Sequence, residues 1–296
     1  MSAVLRTGGT PYPLVIGVIG AGRVGAVLGA ALEAAGHRVV ATAAVSTASL
    51  ARAARLLPRA VIRPADAVAR AGTDLLLLSV PDDALGAVVA GLAKTGALDQ
   101  AQVVAHTSGA HGLAVLGGIR GFALHPAMTF TGDASDLDRL PGTAYGLTAP
   151  ADLRPLAARL VTDLGGIPEW VDEDSRSLYH AALAHGANHL VTLVNEAADL
   201  LRAAGIERPE QVLSPLLYAA LDNALRLGDA ALTGPVSRGD AGTVSKHLER
   251  LPADAVPAYL ALARRTADRA IASGRLRPPD AASLLDVLSR VKQAAS

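Results

Sequence analysis

Apolar residues follow two different spacings along the chain, and the change between them falls near residue 173. Before it, short apolar runs alternate with segments in which apolar residues recur every three or four positions, as on one helix face. Asp74–Val80 contains four consecutive leucines, the continuous apolar pattern of a strand buried on both faces. Only the helical spacing remains after about residue 174. The pattern predicts a strand-and-helix domain followed by an all-helical domain.

The first apolar run ends in a glycine-rich turn. Leu14–Ile19 is followed by G-x-G-x-x-G over Gly20–Gly25 and then by apolar residues at helical spacing. In a dinucleotide-binding turn the first glycine allows the tight bend, the second admits the pyrophosphate, and the third lets the helix pack closely on the strand. The helix N-terminus attracts phosphate through its free N–H groups and its dipole. The predicted cofactor contacts here are Gly20, Gly22, Arg23, Val24 and Gly25.

Strands alternate with helices in the first part, which predicts a doubly wound parallel sheet of the Rossmann-like α/β class followed by an all-α domain. Strands are predicted at 14–19, 37–43, 60–62, 74–80, 102–106, 121–124, 143–148 and 167–171. The later helices are predicted at 175–204, 209–228, 240–250, 254–273 and 280–294. We predict a mobile tail over 1–13, an NAD(P)-binding domain over 14–173, and a helical substrate and dimerisation domain over 174–296.

The residues after the second predicted strand indicate which nicotinamide dinucleotide is used. An NAD site places Asp or Glu about 20 residues beyond the glycine turn, where it holds the ribose 2′-hydroxyl. Residues 42–47 contain no carboxylate. Ser46, Thr47 and Arg52 can donate hydrogen bonds to a 2′-phosphate instead. The sequence therefore favours NADP(H).

Ligands of an open α/β sheet bind beyond the carboxyl ends of its strands. Polar and turn-forming residues follow several predicted strands at that edge, although the same residue types also suit ordinary turns. The further cofactor contacts that we predict are Val80, Pro81, Asp82 and Ser108, and the predicted substrate contacts are His125 and Pro126.

One predicted helix of the second part carries a polar stripe among Ala, Leu and Val. Its members recur every three or four residues and so share one face. They are His185, Asn188, His189, Thr192, Asn195 and Asp199. A stripe that only faces water would normally contain Glu, Lys and Arg, so we predict the wall of a substrate pocket. His180 lies off this face and suits a core or interface position.

A loop containing glycine and proline precedes the helix predicted over 240–250. Its backbone N–H groups, the Arg238 guanidinium and the hydroxyls of Thr233 and Thr243 suit a carboxylate. Asp240 is placed to cap the following helix. A plain capped helix joint is the alternative interpretation.

Composition excludes several classes of protein. A length of 296 residues favours two domains, and 27 basic against 27 acidic residues give no field that would attract nucleic acid or anionic lipid. Without cysteine there is no disulfide and no thiolate nucleophile or ligand. No apolar run is long enough for a signal peptide or a membrane span, so we expect a cytoplasmic protein.

These motifs together resemble the Rossmann-like oxidoreductases whose helical C-terminal half is the domain of unknown function 2520, relatives of ketopantoate reductase and pyrroline-5-carboxylate reductase. The resemblance covers nearly all of residues 14–270. Beyond the glycine turn it rests on Ser79–Asp83, His106–Ala110, Leu124–Phe130, Tyr179–His189 and Leu232–Pro235. It implies an NADP-binding domain, a helical domain that often forms a homodimer, a substrate site between them, and no metal. It also implies a small 2-oxo acid substrate, with reduction of ketopantoate to pantoate in pantothenate biosynthesis as the best candidate.

The chain departs from the related hydroxyacid dehydrogenases at one point. Those proteins present a lysine on the first long helix of the second domain, whereas this region holds His185, Asn188 and His189. Ketone reduction requires a proton for the developing alkoxide, which an imidazole with an ordinary pKa near 6.5 can donate at neutral pH. We therefore predict a catalytic group in which His185 is the general acid, Asn188 orients the substrate oxygen, and Arg238 holds the carboxylate.

Three alternatives stay open. A cyclic-imine reductase would need no strong acid, because an imine is already basic. A sensor or scaffold would bind NADP(H) and turn over nothing. A zinc enzyme would use His185 and His189 at i, i+4, with His125 or His106 as a third ligand.

Overall fold

The computed structural model describes residues 12–98 and 102–290. Most of the predicted tail and the last four residues of the helix predicted over 280–294 lie outside these described ranges. The chain divides into two compact units, Met1–Gly186 and Ala187–Ser296.

An eight-stranded sheet forms the centre of the first unit. Its strands are β1 (Val15–Ile19), β2 (Arg38–Ala43), β3 (Val61–Ile62), β4 (Leu75–Leu78), β5 (Val103–His106), β6 (Gly121–Pro126), β7 (Ala144–Thr148) and β8 (Ile167–Trp170). Their order is β3-β2-β1-β4-β5-β6-β7-β8. The predicted Rossmann-like class is confirmed, and the sheet is parallel apart from the β6–β7 pair. That pair is antiparallel because its connection contains a 3-10 turn in place of a crossover helix.

Helices cover the sheet of the first unit. They are α1 (Arg23–Ala34), α2 (Thr47–Leu56), α3 (Ala65–Ala69), α4 (Asp82–Lys94), α5 (Arg154–Asp163) and α6 (Arg176–Leu183). The sequence pattern missed α3, because five residues are too few to display helical spacing. Leu75 and Leu77 pack into the core on one side of the sheet, and Leu76 and Leu78 into the core on the other. The continuous leucine run of β4 thus follows from burial on both faces.

The described part of the second unit is helical. Its helices are α7 (His189–Ala203), α8 (Pro209–Leu227), α9 (Ala241–Arg250), α10 (Val256–Ala272) and α11 (Pro278–Arg290). A core of small and branched side chains, among them Val244, Leu260, Ala267 and Leu284, joins α9, α10 and α11. Within the described ranges no helix combines the length and the apolar character needed to cross a bilayer.

The helix predicted over 175–204 is interrupted. Ala184–Asn188 forms a π-helical turn between α6 and α7, so the predicted helix is present over 176–203 but contains one turn that the prediction lacked. Hydrophobic spacing did not reveal the turn, because alanines continue through it and leucines flank it on both sides. His185 and Asn188 lie in the π turn, whereas His189 and Thr192 lie on α7. Such turns occur frequently at functional sites.

Candidate functional site

The glycine turn between β1 and α1 has the local geometry that the sequence predicts. Gly20 has a φ of +98°, and a Cβ there would overlap the carbonyl oxygen of Ser79. A Cβ at Gly25 would overlap the carbonyl oxygen of Gly20, so the helix packs closely against the turn. Gly22 differs, because no atom lies within 4 Å of its missing Cβ. The turn is therefore tight at its first and third glycines and open at the second.

A loop after β6 contacts the first turn of α1. Asp136 is fully buried, and its carboxylate accepts hydrogen bonds from the N–H groups of Thr131 (2.9 Å) and Gly132 (2.7 Å) and from the Thr131 hydroxyl (3.0 Å). Gly132 has a φ of +85°; a Cβ there would overlap Arg52 Nε and lie 2.9 Å from Arg23 Cγ. The loop thus brings two arginines together beside the glycine turn.

These two arginines differ from their neighbour Arg55 in their partners. Arg55 donates to the Gly132 carbonyl oxygen (2.9 Å) and forms an ion pair with Asp133 (2.8 Å). Arg52 Nε is buried without a hydrogen-bond partner, and within residues 12–98 and 102–290 neither Arg23 nor Arg52 has an ion pair. Two positive charges without a carboxylate partner therefore lie close to the turn.

Ser46 and Thr47, predicted to bind the 2′-phosphate, begin α2. Ser46 Oγ accepts a hydrogen bond from the N–H of Ser49 (3.1 Å) and so caps the helix. Both residues are exposed. The same Ser46 hydroxyl donates to Ser49 Oγ (3.0 Å), so a hydrogen bond from Ser46 to a ligand would require this hydrogen to turn, and the predicted contact stays a prediction.

The carboxyl ends of β4 and β5 lie side by side. Thr107 Oγ1 donates to Ser79 Oγ over 3.1 Å. Pro81 occupies the position before α4, whose first residue is Asp82, and Val80 is half-buried beside them. Ser108 is buried, and its hydroxyl accepts a hydrogen bond from the N–H of His111 (3.0 Å). Each predicted residue of this group thus lies at the predicted edge of the sheet.

His106, the last residue of β5, is fully buried. Its Nε2 donates to the Gly112 carbonyl oxygen over 2.9 Å. Burial, opposed by that hydrogen bond and reinforced by the charge of Arg176, lowers the pKa of His106 to about 4. His106 is therefore neutral, and its hydrogen bond to Gly112 fixes the loop after β5 at the edge of the sheet.

His125 in β6 contacts α6, which the sequence did not predict. Its Nδ1 lies 2.9 Å from the hydroxyl oxygen of Tyr179, and its ring meets the ring of His180 edge-on at 5.9 Å between centroids. Burial, followed by the positive charge of Arg176, lowers the pKa of His125 to about 4. Pro126 is buried at the end of the same strand. An uncharged His125, in contact with the rings of Tyr179 and His180, therefore lies at the carboxyl end of β6.

Arg176 is the residue that sequence reasoning missed most clearly. Its side chain is 1% exposed. It donates to the carbonyl oxygens of Gly146 (3.0 Å) and Ser108, and its Cζ lies 5.4 Å from the centre of the Tyr179 ring. An isolated arginine normally indicates an exposed position. The one available signal was its spacing of three and four residues from Tyr179 and His180.

A carboxylate at the start of the same segment fixes the loop after β5. Glu173 accepts hydrogen bonds from the N–H groups of Leu113 (2.6 Å) and Ala114 (3.0 Å). A Cβ at Gly112 would overlap this carboxylate. The segment 173–180 therefore organises the edge formed by β5, β6 and β7.

The remaining predicted residues lie further along the chain. His185, Asn188, His189 and Thr192 are all exposed. Arg238 is exposed at the end of a short 3-10 turn, and Thr233 lines a largely apolar cavity of about 340 Å³ in the second unit.

The predicted cap of α9 is confirmed. Asp240 accepts hydrogen bonds from the Thr243 N–H (3.0 Å) and hydroxyl (2.7 Å). The Thr243 hydroxyl, predicted to bind substrate, is thus engaged in the cap. As for metal ligands, the described residues contain no cluster of three or more His, Asp or Glu side chains that could hold an ion.

Two family models match the chain. The Rossmann-like domain matches residues 6–126, and the domain of unknown function DUF2520 matches residues 143–266. The chain therefore carries a Rossmann-like domain followed by a DUF2520 domain, which confirms the resemblance seen in its motifs. No curated protein sequence matches the chain.

Solved structures share the fold over most of the chain. A candidate NADP oxidoreductase from Bacteroides fragilis is 21% identical, with a TM-score of 0.74 over 86% of this chain and 98% of that one. A protein from Thermotoga maritima is 18% identical, with a TM-score of 0.65 over 87% and 99%. The 1-pyrroline-5-carboxylate reductase of Streptococcus pyogenes is 18% identical, with a TM-score of 0.60 over 87% and 98%. This chain therefore has the fold of NAD(P)-dependent reductases and dehydrogenases.

Proposed function

We propose that this chain is an NADPH-dependent reductase. The observation that carries the proposal is the glycine turn, tight at Gly20 and Gly25 and open at Gly22, directly before α1. Backbone N–H groups at a helix N-terminus bind phosphate, and the open second glycine gives the pyrophosphate access to them. The arrangement fits a dinucleotide without rearrangement of the turn.

The charges beside the turn support NADP(H) over NAD(H). Arg23 and Arg52 contact Gly132 without a carboxylate partner in the described residues, and β2 is followed by no acidic side chain up to Thr47. An arginine guanidinium forms strong, charge-assisted hydrogen bonds with phosphate. The extra phosphate of NADP(H) would give both arginines the anionic partner that they lack.

For the substrate we propose a small 2-oxo acid, with ketopantoate as the best candidate. Bound NADPH would supply the hydride for the carbonyl carbon. His185, exposed on the π turn, donates the proton to the oxygen, Asn188 orients that oxygen, and Arg238 holds the carboxylate. His189 and Thr192 contribute polar groups of the same wall. Each of these side chains is exposed on its own unit and so is accessible to a substrate, which supports these roles.

Reduction of a cyclic imine is the second candidate. The pyrroline-5-carboxylate reductase of Streptococcus pyogenes shares the fold over 87% of this chain and 98% of its own. The neutral imidazole of His106, whose Nε2 is engaged by the Gly112 carbonyl, supplies no strong acid at the sheet edge, and this suits the reduction of an imine.

We also propose that a second copy of the chain covers the pair of helices α7 and α8. The 15-residue α7 has no buried side chain, and the 19-residue α8 buries only Pro209 and Leu213. Val191, Leu216 and Tyr218 are 58%, 62% and 73% exposed. Light scattering coupled to size-exclusion chromatography tests this: a dimer that Leu216→Glu dissociates supports the proposal, and a monomeric wild type contradicts it.

The proposed function is tested by NADPH oxidation with ketopantoate, other 2-oxo acids and pyrroline-5-carboxylate as substrates. NADPH and NADH affinities are measured by fluorescence on the same preparation. Turnover with 2-oxo acids is the expected result. Turnover with pyrroline-5-carboxylate alone would replace the substrate proposal by the imine reductase, and tight NADPH binding without turnover would favour a sensor or scaffold. Absence of NADPH binding would contradict the proposal as a whole.

The role of His185 has its own test. His185→Gln is expected to lower kcat by about 100-fold, because general acid catalysis typically contributes at least that factor. The NADPH affinity should stay unchanged. His247→Gln, on α9, is the matched control and should retain full turnover. Wild-type turnover in His185→Gln would remove the assignment.

A further inference from the structure

His125, a predicted substrate contact, is paired with Tyr179, to which no role has been given so far. The two residues are 54 positions apart, and their rings meet at 90° with 5.6 Å between centroids. A Cβ at Gly146 would crowd the Tyr179 hydroxyl, so the strand holds this hydroxyl close to its own backbone. The pair is therefore packed into the end of the sheet and not free to rotate at its surface.

The direction of the hydrogen bond follows from the protonation of both groups together with the second partner of the Tyr179 oxygen. Burial raises the pKa of Tyr179 above its ordinary value, although Arg176 opposes the shift, so the hydroxyl keeps its proton at neutral pH. Burial lowers the pKa of His125, so its imidazole carries one hydrogen. The Gly146 N–H already donates to the Tyr179 oxygen, which leaves the hydroxyl hydrogen to Nδ1, and the single imidazole hydrogen then lies on Nε2.

Arg176 fixes the position of the His125–Tyr179 pair. Its two hydrogen bonds join the loop after β5, at Ser108, to β7, at Gly146. Because the Tyr179 ring lies over the guanidinium, the cation limits the movement of the ring. Arg176 thus fixes the Tyr179 hydroxyl, and this hydroxyl sets the tautomer of His125.

The Nε2 edge of His125 is the side that a ligand can use. It faces Gly109, where a Cβ would lie 2.9 Å from Nε2 and 2.6 Å from His180 Cδ2. No side chain fits between residue 109 and this edge, but Nε2 is not among the side-chain nitrogens of the described residues that are buried without a hydrogen-bond partner, so the atom reaches solvent. His125 itself is only partly buried.

We propose that the Nε2–H of His125 donates a hydrogen bond to the carbonyl oxygen of the substrate, and that Tyr179 and Arg176 are positioning residues for this donor. The inference rests on the proposed reductase function. Bound NADPH would supply the hydride to the carbonyl carbon, and the C=O electron pair would move to oxygen. That oxygen takes a proton from the general acid, for which we propose His185, while His125 keeps its own hydrogen. A fixed N–H aimed at the oxygen stabilises the charge that develops there.

The same donor discriminates between the two substrate classes. A carbonyl oxygen offers lone pairs to an N–H group. A protonated imine offers an N–H and a positive charge, and so cannot accept this hydrogen bond. A neutral Nε2–H donor at this position therefore favours oxo substrates over iminium substrates.

The test compares Tyr179→Phe with a matched control in the other unit. Tyr259 and His247 form a similar pair, with 2.8 Å between hydroxyl and Nδ1 and rings at 87°, but His247 is exposed on α9. Both Tyr→Phe variants are made in the full chain. The readouts are kcat and KM for the reduced 2-oxo acid, the NADPH dissociation constant, and the ¹⁵N NMR signals that report imidazole tautomers, assigned with His125→Gln and His247→Gln.

Tyr179→Phe is expected to lower kcat about tenfold with an unchanged NADPH dissociation constant, which corresponds to the loss of one ordinary hydrogen bond. The His125 signals should change from the Nε2–H tautomer to a mixture. Tyr259→Phe should alter only the His247 signals and leave turnover at the wild-type value. His125→Leu, which removes the donor, is expected to lower kcat about 100-fold.

Wild-type turnover in Tyr179→Phe, or lost turnover with an unchanged His125 tautomer, would overturn the inference. If NADPH binds but no oxo acid is reduced, the proposed function fails. In that case the NMR comparison still decides whether Tyr179 sets the tautomer of His125.

Discussion

The carbonyl oxygen of Gly20 packs directly against Gly25, so closely that it would overlap a Cβ of residue 25. Gly25→Ala must therefore shift the helix α1 away from the turn, and we expect the free energy of unfolding to fall by about 1–3 kcal/mol. Trp170, the single tryptophan, lies in the first unit and reports this unfolding in urea by its fluorescence. An unchanged unfolding midpoint would contradict the close packing.

Gly22→Ala should change cofactor affinity and leave the stability of the fold unchanged. Its φ of −71° suits any residue, and no atom lies within 4 Å of the added Cβ. We expect wild-type stability together with a loss of NADPH affinity, because the methyl group occupies the approach of the pyrophosphate. Fluorescence titration with NADPH measures the effect. Wild-type affinity in Gly22→Ala would show that the pyrophosphate does not pass over this residue.

Arg52→Gln should weaken NADPH binding about 10- to 100-fold, the effect of one hydrogen bond to a charged group, and leave NADH binding unchanged. Arg70→Gln is the matched control, because Arg70 pairs with Asp66 on α3. Both dissociation constants are measured for each variant. Equal losses for NADPH and NADH in Arg52→Gln would speak against recognition of the 2′-phosphate.

Asp136→Asn should destabilise the first unit by about 2–4 kcal/mol. The buried carboxylate accepts three hydrogen bonds; an amide oxygen can still accept from the two backbone N–H groups, but the NH2 group then faces the Thr131 hydroxyl, and the charge that strengthens all three hydrogen bonds is lost. Asp138→Asn, exposed in the same turn, is the control. Urea unfolding followed at Trp170 measures both variants, and equal midpoints would contradict the role of Asp136.

Stability should fall in mild acid. His106 and His125 have pKa values of about 4 in the folded chain, whereas histidine in an unfolded chain titrates near 6.5. Between these values the unfolded state binds more protons. The stabilisation is therefore complete above pH 6.5 and is lost as the pH falls toward 4, by roughly 2 kcal/mol for each histidine.

Urea unfolding from pH 7.5 to 4.5 measures this loss. His106→Gln should flatten the pH dependence, and His247→Gln should leave it as in the wild type. A wild-type stability that does not change over this range would show that the two imidazoles charge in the folded state.

Sequence patterns predicted those features of the molecule that depend on interactions between residues close in sequence. The glycine turn, the buried leucines of β4 and the Asp240 cap each depend on residues within a few positions of one another. Steric freedom, strand burial and capping act at that range, so the sequence displays them directly.

Other features depend on partners that are distant in sequence. The antiparallel direction of β7 relative to β6 was not predicted, because the apolar pattern of a strand is the same in either direction. The burial of Arg176 depends on carbonyl groups of Ser108 and Gly146. The contact between His125 and Tyr179 likewise required the fold, although both residues stood in motifs that the sequence already singled out.

Arg176 also bears on the order in which parts of the chain fold during synthesis. It completes contacts with residues 68 and 30 positions earlier, at Ser108 and Gly146. Domains fold while the chain emerges from the ribosome, N-terminal segments first. All eight strands precede residue 171, so we expect the sheet to form before α6 is available. The histidine edge of the sheet would then be the last part of the first unit to mature during synthesis, when Arg176 and Tyr179 reach it.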